Sequence, residues 1–335
     1  MTAPDTRSPL AAGQTALPSA SVSWAGRHII SIADFSTEDL LHLLDLAAII
    51  ERRPHPDLLS GRLMATLFFE SSTRTRLSFE AAMSKLGGQV IGVTDAVSSS
   101  ARKGESIADT IRMVDQYANV IVLRHHHEGA ARLAGDVSRV PVINGGDGAN
   151  QHPTQTFLDL YTIAKLFPDR LQGAGAPLRI TVAGDLRYGR TVHSLLTALT
   201  HFSVSLQMVP VAGLELPQHC VNEAALAGHP VTVLPDLEAA VAQSDVLYMT
   251  RLQQERFPDP LEFEHVKSAY RVDAAMLRSA ASQLRILHPL PRVKEIAGDV
   301  DVTPHAAYIA QAGNGVPIRQ ALLALVLGRA DELVG

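Results

Sequence analysis

Residues Leu67–Glu80 read L-F-F-E-S-S-T-R-T-R-L-S-F-E, and the way this stretch changes character decides the fold. Just ahead, Arg62–Phe69 (R-L-M-A-T-L-F-F) is a mostly apolar run with the length of a buried strand. Just behind, Leu77–Leu86 (L-S-F-E-A-A-M-S-K-L) carries apolar residues at helical spacing. Between them, Ser71–Arg76 packs four hydroxyls and two guanidiniums into six residues. A strand that turns into a helix here aims unpaired backbone N–H groups and the positive end of the helix dipole at one spot. Hydroxyls there can donate to oxygens, and an arginine fork matches the face of a phosphate. A plain N-cap needs one Ser or Thr and no arginine. Two Thr-Arg repeats exceed that need, so the segment reads as an anion cradle, first of all for phosphate.

The same alternation continues on both sides. Arg27–Ile32 reads as a short opening strand, and Ser36–Arg53 as an amphipathic helix capped by Ser36 and stopped by Pro54. Gln89–Thr94, Asn119–Arg124 and Val140–Asn144 read as strands, with helices at Glu105–Tyr117 and from Glu128 between them. His152–Phe167 is a long helix with Pro153 in its first turn, where proline is tolerated. Past the Gly/Ala/Pro stretch Gly173–Pro177, strands are expected at Leu178–Ala183, Val204–Val209, Val231–Leu234, Asp245–Met249 and Arg285–Leu287. Helices at Thr191–Phe202, Pro217–Leu226 and Leu237–Gln243 separate the first four. The pattern predicts an α/β fold of two doubly wound parallel-sheet domains with the active site in the cleft between them. Residues 1–24, rich in Ala, Ser, Pro and Thr, are expected to form a disordered tail. Residues 25–151 make the first domain and 152–313 the second. The stretch 314–335, whose helix Ile318–Leu327 is apolar on most faces, packs back onto the first.

Composition narrows the function. At 335 residues about two domains are the prior, and a hydrophobic share of 46% is ordinary for a globular chain. A net charge of -5 supplies no broad basic field, which argues against a nucleic-acid partner. No apolar run approaches the roughly 20 residues of a membrane helix. A single cysteine, Cys220, excludes an intrachain disulfide and fits a reducing cytoplasm.

In an open α/β sheet, ligands gather beyond the carboxyl ends of the strands. That rule brings Arg124, at a strand end, beside the cradle, together with His152 and Gln155 on one face of a helix start. His125-His126-His127 lacks metal-ligand spacing and is read as a solvated turn. In the second domain, G-D-L-R-Y-G-R-T-V-H sets Arg187 and Arg190 at a helix mouth, and it is not a dinucleotide fingerprint. T-R-L-Q-Q-E-R places Arg251, Gln253 and Arg256 after another strand. Arginines there suit a substrate with carboxylates, since each guanidinium can bind one bidentately; surface pairing with Asp185 and Glu255 is the plainer alternative. In L-H-P-L-P-R, two prolines flanking Leu290 make a rigid turn whose carbonyls could accept from an amine or amide.

Taken together, these segments resemble the aspartate/ornithine carbamoyltransferase family. The matching stretches are F-F-E-S-S-T-R-T-R-L-S-F-E, K-G-E-S-I-A-D-T, R-H-H-H-E-G-A-A-R, N-Q-H-P-T-Q-T, G-D-L-R-Y-G-R-T-V-H-S-L, Y-M-T-R-L-Q-Q-E-R, H-P-L-P-R-V and Q-A-G-N-G, in the family's order from about Arg27 onward. Pro289 in H-P-L-P and the absence of an S-M-G loop set the chain apart from the ornithine branch, and Arg190 and Arg251 match the aspartate branch.

The resemblance implies carbamoyl transfer from carbamoyl phosphate to L-aspartate, in pyrimidine synthesis, without a metal or organic cofactor. It implies that Ser72, Thr73, Arg74 and Thr75 hold the phosphate. Thr75, Arg124 and His152 would polarise the carbamoyl oxygen, with Arg74 near the leaving oxygen. Gln155 and the carbonyls of Leu290 and Pro291 would hold the NH2, while Arg190, Arg251 and Gln253 bind aspartate. It further implies a homotrimer in which Ser99 (or its neighbour Ser98 or Ser100) and Lys103 reach into the adjacent subunit's site, and it leaves open a larger assembly with a regulatory chain. Arg187 stands where close relatives carry lysine, and the loop Phe257–Phe263 is slightly long. Two other readings stay open: a carbamoyltransferase for another amino acid such as ornithine, and a catalytically silent homologue serving as an assembly partner.

Overall fold

The computed structural model describes residues 23–93, 104–252 and 270–334. The first α-helix, α1 (Thr37–Arg52), begins where Ser36 and Asp39 cap each other. Ser36 Oγ accepts from the Asp39 N–H at 3.1 Å, and the Asp39 carboxylate accepts from the Ser36 N–H at 3.1 Å. There follow β1 (Leu63–Phe68), α2 (Thr73–Lys85), β2 (Gln89–Val93), α3 (Ile107–Val114), β3 (Val120–His125), α4 (Ala130–Val137) and β4 (Val142–Asp147). These four strands form a parallel sheet in the order β2-β1-β3-β4.

Next come α5 (Pro153–Leu166), α6 (Pro168–Leu171), β5 (Leu178–Gly184), α7 (Arg190–Leu199), β6 (Val204–Pro210), α8 (Gln218–Leu226), β7 (Thr232–Val233), α9 (Leu237–Gln243), β8 (Val246–Met249) and β9 (Arg285–Leu287). They build a second parallel sheet in the order β7-β6-β5-β8-β9. The chain closes with α10 (Tyr308–Gly313) and α11 (Gly315–Val326). The expected two-sheet α/β architecture is the one observed.

Strands of a covered parallel sheet bury both faces, which explains their unbroken apolar runs. In β1 and β3, Met64, Phe68, Val120 and Val122 point to one face, while Ala65, Leu67, Ile121 and Leu123 point to the other. The first set joins α1, α2, α5 and α11 in a cluster that continues into Ile180, Val182, Leu206 and Tyr248 of the second sheet. One apolar core therefore runs from sheet to sheet, with smaller clusters on the outer faces. Helix α11 lies against α1, α2 and α5, as its all-round apolar sequence predicts.

Several boundaries differ from the sequence reading. Arg27–Ile32 is no strand: it contributes a single bridge, Ile29 to Ile143. Trp24, expected in the tail, is buried with its ring 5.2 Å from that of Phe35. The Val231–Leu234 strand shrinks to two residues, Thr232–Val233. Residues 1–22, and with them the rest of the expected tail, lie outside the described residues.

Candidate active site

A cleft of about 740 Å³ opens at the carboxyl ends of both sheets. From the first sheet come the β1–α2 turn, Arg124 at the end of β3, and the start of α5. From the second come Arg190 at the start of α7, Arg251 after β8, and the turn that follows β9. Every described residue of the predicted site lines it: Ser72, Thr73, Arg74, Thr75, Arg124, His152, Gln155, Arg190, Arg251, Leu290 and Pro291.

Helix α2 starts at Thr73, four residues earlier than apolar periodicity indicates, so Thr73–Arg76 form its first turn. Ser72 is the N-cap by position, yet its side chain makes no capping bond. The helix start thus keeps its N–H groups and hydroxyls for the cleft, the arrangement that holds an anion. Burial lowers Arg74 from the ordinary guanidinium value, and it remains a cation at neutral pH.

Arg124 is buried, with Nη1 donating to the Gly145 carbonyl at 2.9 Å and Nη2 to Glu70 Oε1 at 2.6 Å. Arg190 also reaches Glu70 Oε1, at 3.4 Å, and donates to the Gly148 carbonyl. Glu70 therefore ties together guanidiniums from the two halves. Gly146 makes room for both: a Cβ there would stand 2.7 Å from Arg124 Nη1 and 3.3 Å from Arg190 Nη2. Burial, and then the neighbouring Arg190, push Arg124 down to about 10, against the pull of Glu70.

His152 is buried at the head of α5, its Nε2 3.4 Å from Thr75 Oγ1 and its Nδ1 3.5 Å from Thr154 Oγ1. Burial first, then Arg124, Arg190 and Arg319, hold it well below the usual histidine range. The imidazole is neutral at pH 7, with one ring nitrogen left to donate. Thr75, Arg124 and His152 thus form a cluster of donors suited to a polarised carbonyl oxygen.

After β9, Leu290 adopts φ 56, the left-handed region that side chains disfavour. The His288 Nδ1 accepts from its N–H at 2.8 Å, and His288 Nε2 meets Glu295 Oε1 at 2.8 Å. The turn is held by side chains from below, and Leu290 and Pro291 face the cleft.

Sequence reasoning missed four participants: Glu70, Arg319, Gln311 and Asp159. Glu70, Arg319 and Gln311 line the cleft, whereas Asp159 is wholly buried behind it. Arg319 donates to Ser78 Oγ at 2.8 Å and sits 4.9 Å above the Phe79 ring. The one signal for it was a lone charge in the apolar helix G-V-P-I-R-Q-A-L-L-A-L-V. The histidine run is not a solvated turn throughout. His125 is the last residue of β3 and buried, its Nδ1 accepts from the His127 N–H at 2.9 Å, and burial lowers it to about 4. His126 and His127 are exposed.

A family model described as aspartate/ornithine carbamoyltransferase, carbamoyl-P binding domain, matches residues 27–165. A second, for the Asp/Orn binding domain of the same family, matches residues 177–326. The chain belongs to the aspartate/ornithine carbamoyltransferase family. The aspartate carbamoyltransferase catalytic subunit of Thermococcus onnurineus is 53% identical over 311 residues, spanning 92% of this chain and 99% of that one. That of Chromobacterium violaceum is 52% identical over 301 residues, covering 90% and 98%.

Among solved structures, the catalytic subunit of M. jannaschii aspartate transcarbamoylase superposes with a TM-score of 0.82 at 48% identity, covering 89% of this chain and 96% of that one. The Trypanosoma cruzi aspartate transcarbamoylase in complex with carbamoyl phosphate and aspartate gives a TM-score of 0.82 at 39% identity, covering 91% and 96%. The two carbamoyltransferase domain models part between residues 165 and 177, after α5, whereas strand–helix alternation divides the chain before it. Helix α5 itself packs against α1 and α11 on one side and α7 on the other. Three residues that the resemblance assigns to a carbamoyltransferase site, Ser99, Lys103 and Gln253, lie outside the described residues, as does the loop 257–263. Among the described residues no helix is long and apolar enough to cross a membrane.

Proposed function

We propose that this chain is an aspartate carbamoyltransferase catalytic subunit, moving the carbamoyl group of carbamoyl phosphate to the α-amino group of L-aspartate. The products are N-carbamoyl-L-aspartate and phosphate, at an early step of de novo pyrimidine synthesis. The observation that carries this reading is the convergence, on one cleft, of a hydroxyl- and arginine-rich helix start with Arg190 and Arg251 from the opposite sheet. That is a place for a phosphate facing a place for a dicarboxylate.

Ser72, Thr73, Arg74 and Thr75 bind the phosphate. Thr75, Arg124 and His152 draw electron density onto the carbamoyl oxygen and hold the oxyanion as the amine adds to the carbon. Neutral His152 serves as a donor there without adding a further positive charge beside Arg124, Arg190 and Arg319. Gln155 and the carbonyls of Leu290 and Pro291 take the carbamoyl NH2. Arg190, Arg251 and Gln253 take the carboxylates of aspartate. The C–O bond to phosphate then breaks, Arg74 bears the charge developing on the leaving oxygen, and the phosphate accepts the amine proton. Alignment of the two substrates supplies much of the acceleration.

The same proposal includes a homotrimer, with Ser99 and Lys103 completing the neighbour's site, and a cytoplasmic location resting on the single cysteine. The division into a carbamoyl phosphate-binding half at 25–151 and an aspartate-binding half at 152–313 belongs to it too.

The test is ureido-product formation by the purified chain with carbamoyl phosphate and either L-aspartate or L-ornithine. Activity with aspartate alone is expected, with Arg74→Ala lowering kcat by about a hundredfold or more, the usual scale for a lost oxyanion-type contact. Turnover of ornithine instead would overturn the roles given to Arg190 and Arg251.

A further inference from the structure

Asp159 lies one turn beyond Gln155 on α5 and has no exposed surface. Its carboxylate accepts hydrogen bonds from three elements. Oδ1 takes Gln155 Nε2 at 2.9 Å and Gln311 Nε2, on α10, at 2.6 Å. Oδ2 takes the Tyr248 hydroxyl of β8 at 2.8 Å. An ionised carboxylate can only accept, so both glutamines must turn their NH2 groups toward it. Gln155, which lines the cleft, thereby has its carbonyl Oε1 turned away from the acid, with one N–H of its NH2 group not engaged by Asp159. Gln311 Oε1 in turn accepts the His288 backbone N–H at 2.8 Å, at the root of the turn that presents Leu290 and Pro291. Both sets of acceptors assigned to the carbamoyl NH2 are thus anchored to one buried acid.

We propose that Asp159 is a positioning residue for donor selection: it locks the Gln155 amide with its carbonyl oxygen outward and holds the 288–291 turn. The cleft then presents the Gln155 carbonyl oxygen and the carbonyls of the turn as acceptors where the donor's NH2 goes. This deepens the carbamoyl-transfer reading and rests on it. Carbamoyl phosphate gains from such acceptors. Acetyl phosphate, with the same phosphate and carbonyl but a methyl in place of NH2, gains nothing from them.

Burial raises Asp159 to about 7, outweighing the pull of Gln311, Tyr248, Gln155 and Arg319. Burial also pushes Tyr248 well above its ordinary value and lowers Arg319 only to about 10, so neither of these titrates near neutrality. As the pH falls through about 7, Asp159 gains a proton and becomes a donor at one oxygen, and one of its three partners loses its acceptor. Donor preference should fade on the acid side.

The experiment is calorimetric binding of carbamoyl phosphate and of acetyl phosphate to the full chain, wild type, Asp159→Leu and Asp159→Asn, from about pH 6 to 8. The readout is the ratio of the two Kd values, in which effects common to both phosphates cancel. Asp159→Leu should lower the preference for carbamoyl phosphate roughly threefold to tenfold, the worth of one net hydrogen bond, with acetyl phosphate binding unchanged. Asp159→Asn keeps one oxygen for the glutamines while Tyr248 accepts from its NH2. Because it mimics the protonated acid, it should show at every pH the weaker preference that the wild type reaches on the acid side, with no further decline. An unchanged ratio in Asp159→Leu, or an equal loss for both ligands, would overturn the proposal. If that variant does not fold, an identical pH response in wild type and Asp159→Asn overturns it instead. Donor binding needs no aspartate, so failure here is separate from failure of the acceptor assignment.

Discussion

Glu70 stands between Arg124, at 2.6 Å, and Arg190, at 3.4 Å, and so balances charge where two cationic side chains from opposite sheets meet. Its removal should not affect the two arginines equally. Arg124 is buried and keeps the Gly145 carbonyl, whereas Arg190 keeps, among the described residues, the more peripheral carbonyl of Gly148. Glu70→Ala is expected to lower kcat/KM for aspartate tenfold to a hundredfold, about the worth of a hydrogen bond to a charged group, and to shift carbamoyl phosphate binding less than about threefold. Steady-state kinetics with each substrate varied in turn would show it, and an equal loss for both would count against the asymmetry. Glu70 was in plain view, inside the stretch that reveals the phosphate cradle, yet its role was not legible there. The cradle's chemistry sits in one short run, while that of Glu70 depends on Arg190, 120 residues away. Asp159 was hidden for the same reason: on its own helix it is one polar residue among apolar ones, and its partners arrive from β8 and α10.

At the scale of elements, boundaries follow local chemistry where that chemistry is self-contained. Helix α1 starts where Ser36 and the acidic first turn predict, because the capping box is made within four residues. Ser36→Ala should destabilise the fold by about 1 kcal/mol, read from urea unfolding, without altering turnover. Helix α2 shows the opposite case. Apolar spacing begins only at Leu77, itself 56% exposed, while the true first turn is built of Thr and Arg facing the cleft. A helix start spent on ligand binding has no apolar signature, so periodicity places it late. The lost opening strand has a similar explanation, since residues near Ile29 bury their apolar side chains while forming one bridge rather than a ladder.

For the whole molecule, the two-sheet architecture and the cleft were legible because parallel strands buried on both faces leave continuous apolar runs. The joining of the halves through one core was not, as it arises from α5, which packs against α1 and α11 on one side and α7 on the other, between sheets far apart in sequence. Assembly is open to a direct test of the proposed shared site. Arg74→Ala and Lys103→Ala should each be nearly inactive alone. Dissociated, mixed in equal amounts and reassociated, they should regain about a quarter of the wild-type activity, since random trimers restore one intact site in four. No recovery on mixing would mean that each chain supplies its own Lys103.

The position of α11 bears on how the protein is made. The layer formed by α1, α2 and α5 is complete in sequence by Leu166, but the helix that covers it begins at Gly315. At ribosomal speeds of about 5–20 residues per second, the roughly 150 intervening residues take on the order of ten to thirty seconds to appear. Throughout that interval the nascent first half carries an open apolar face that nothing yet synthesised can close. Its final burial waits for the last helix to leave the ribosome, which makes chaperone shielding of the growing chain, rather than early domain-by-domain completion, the natural demand of this topology.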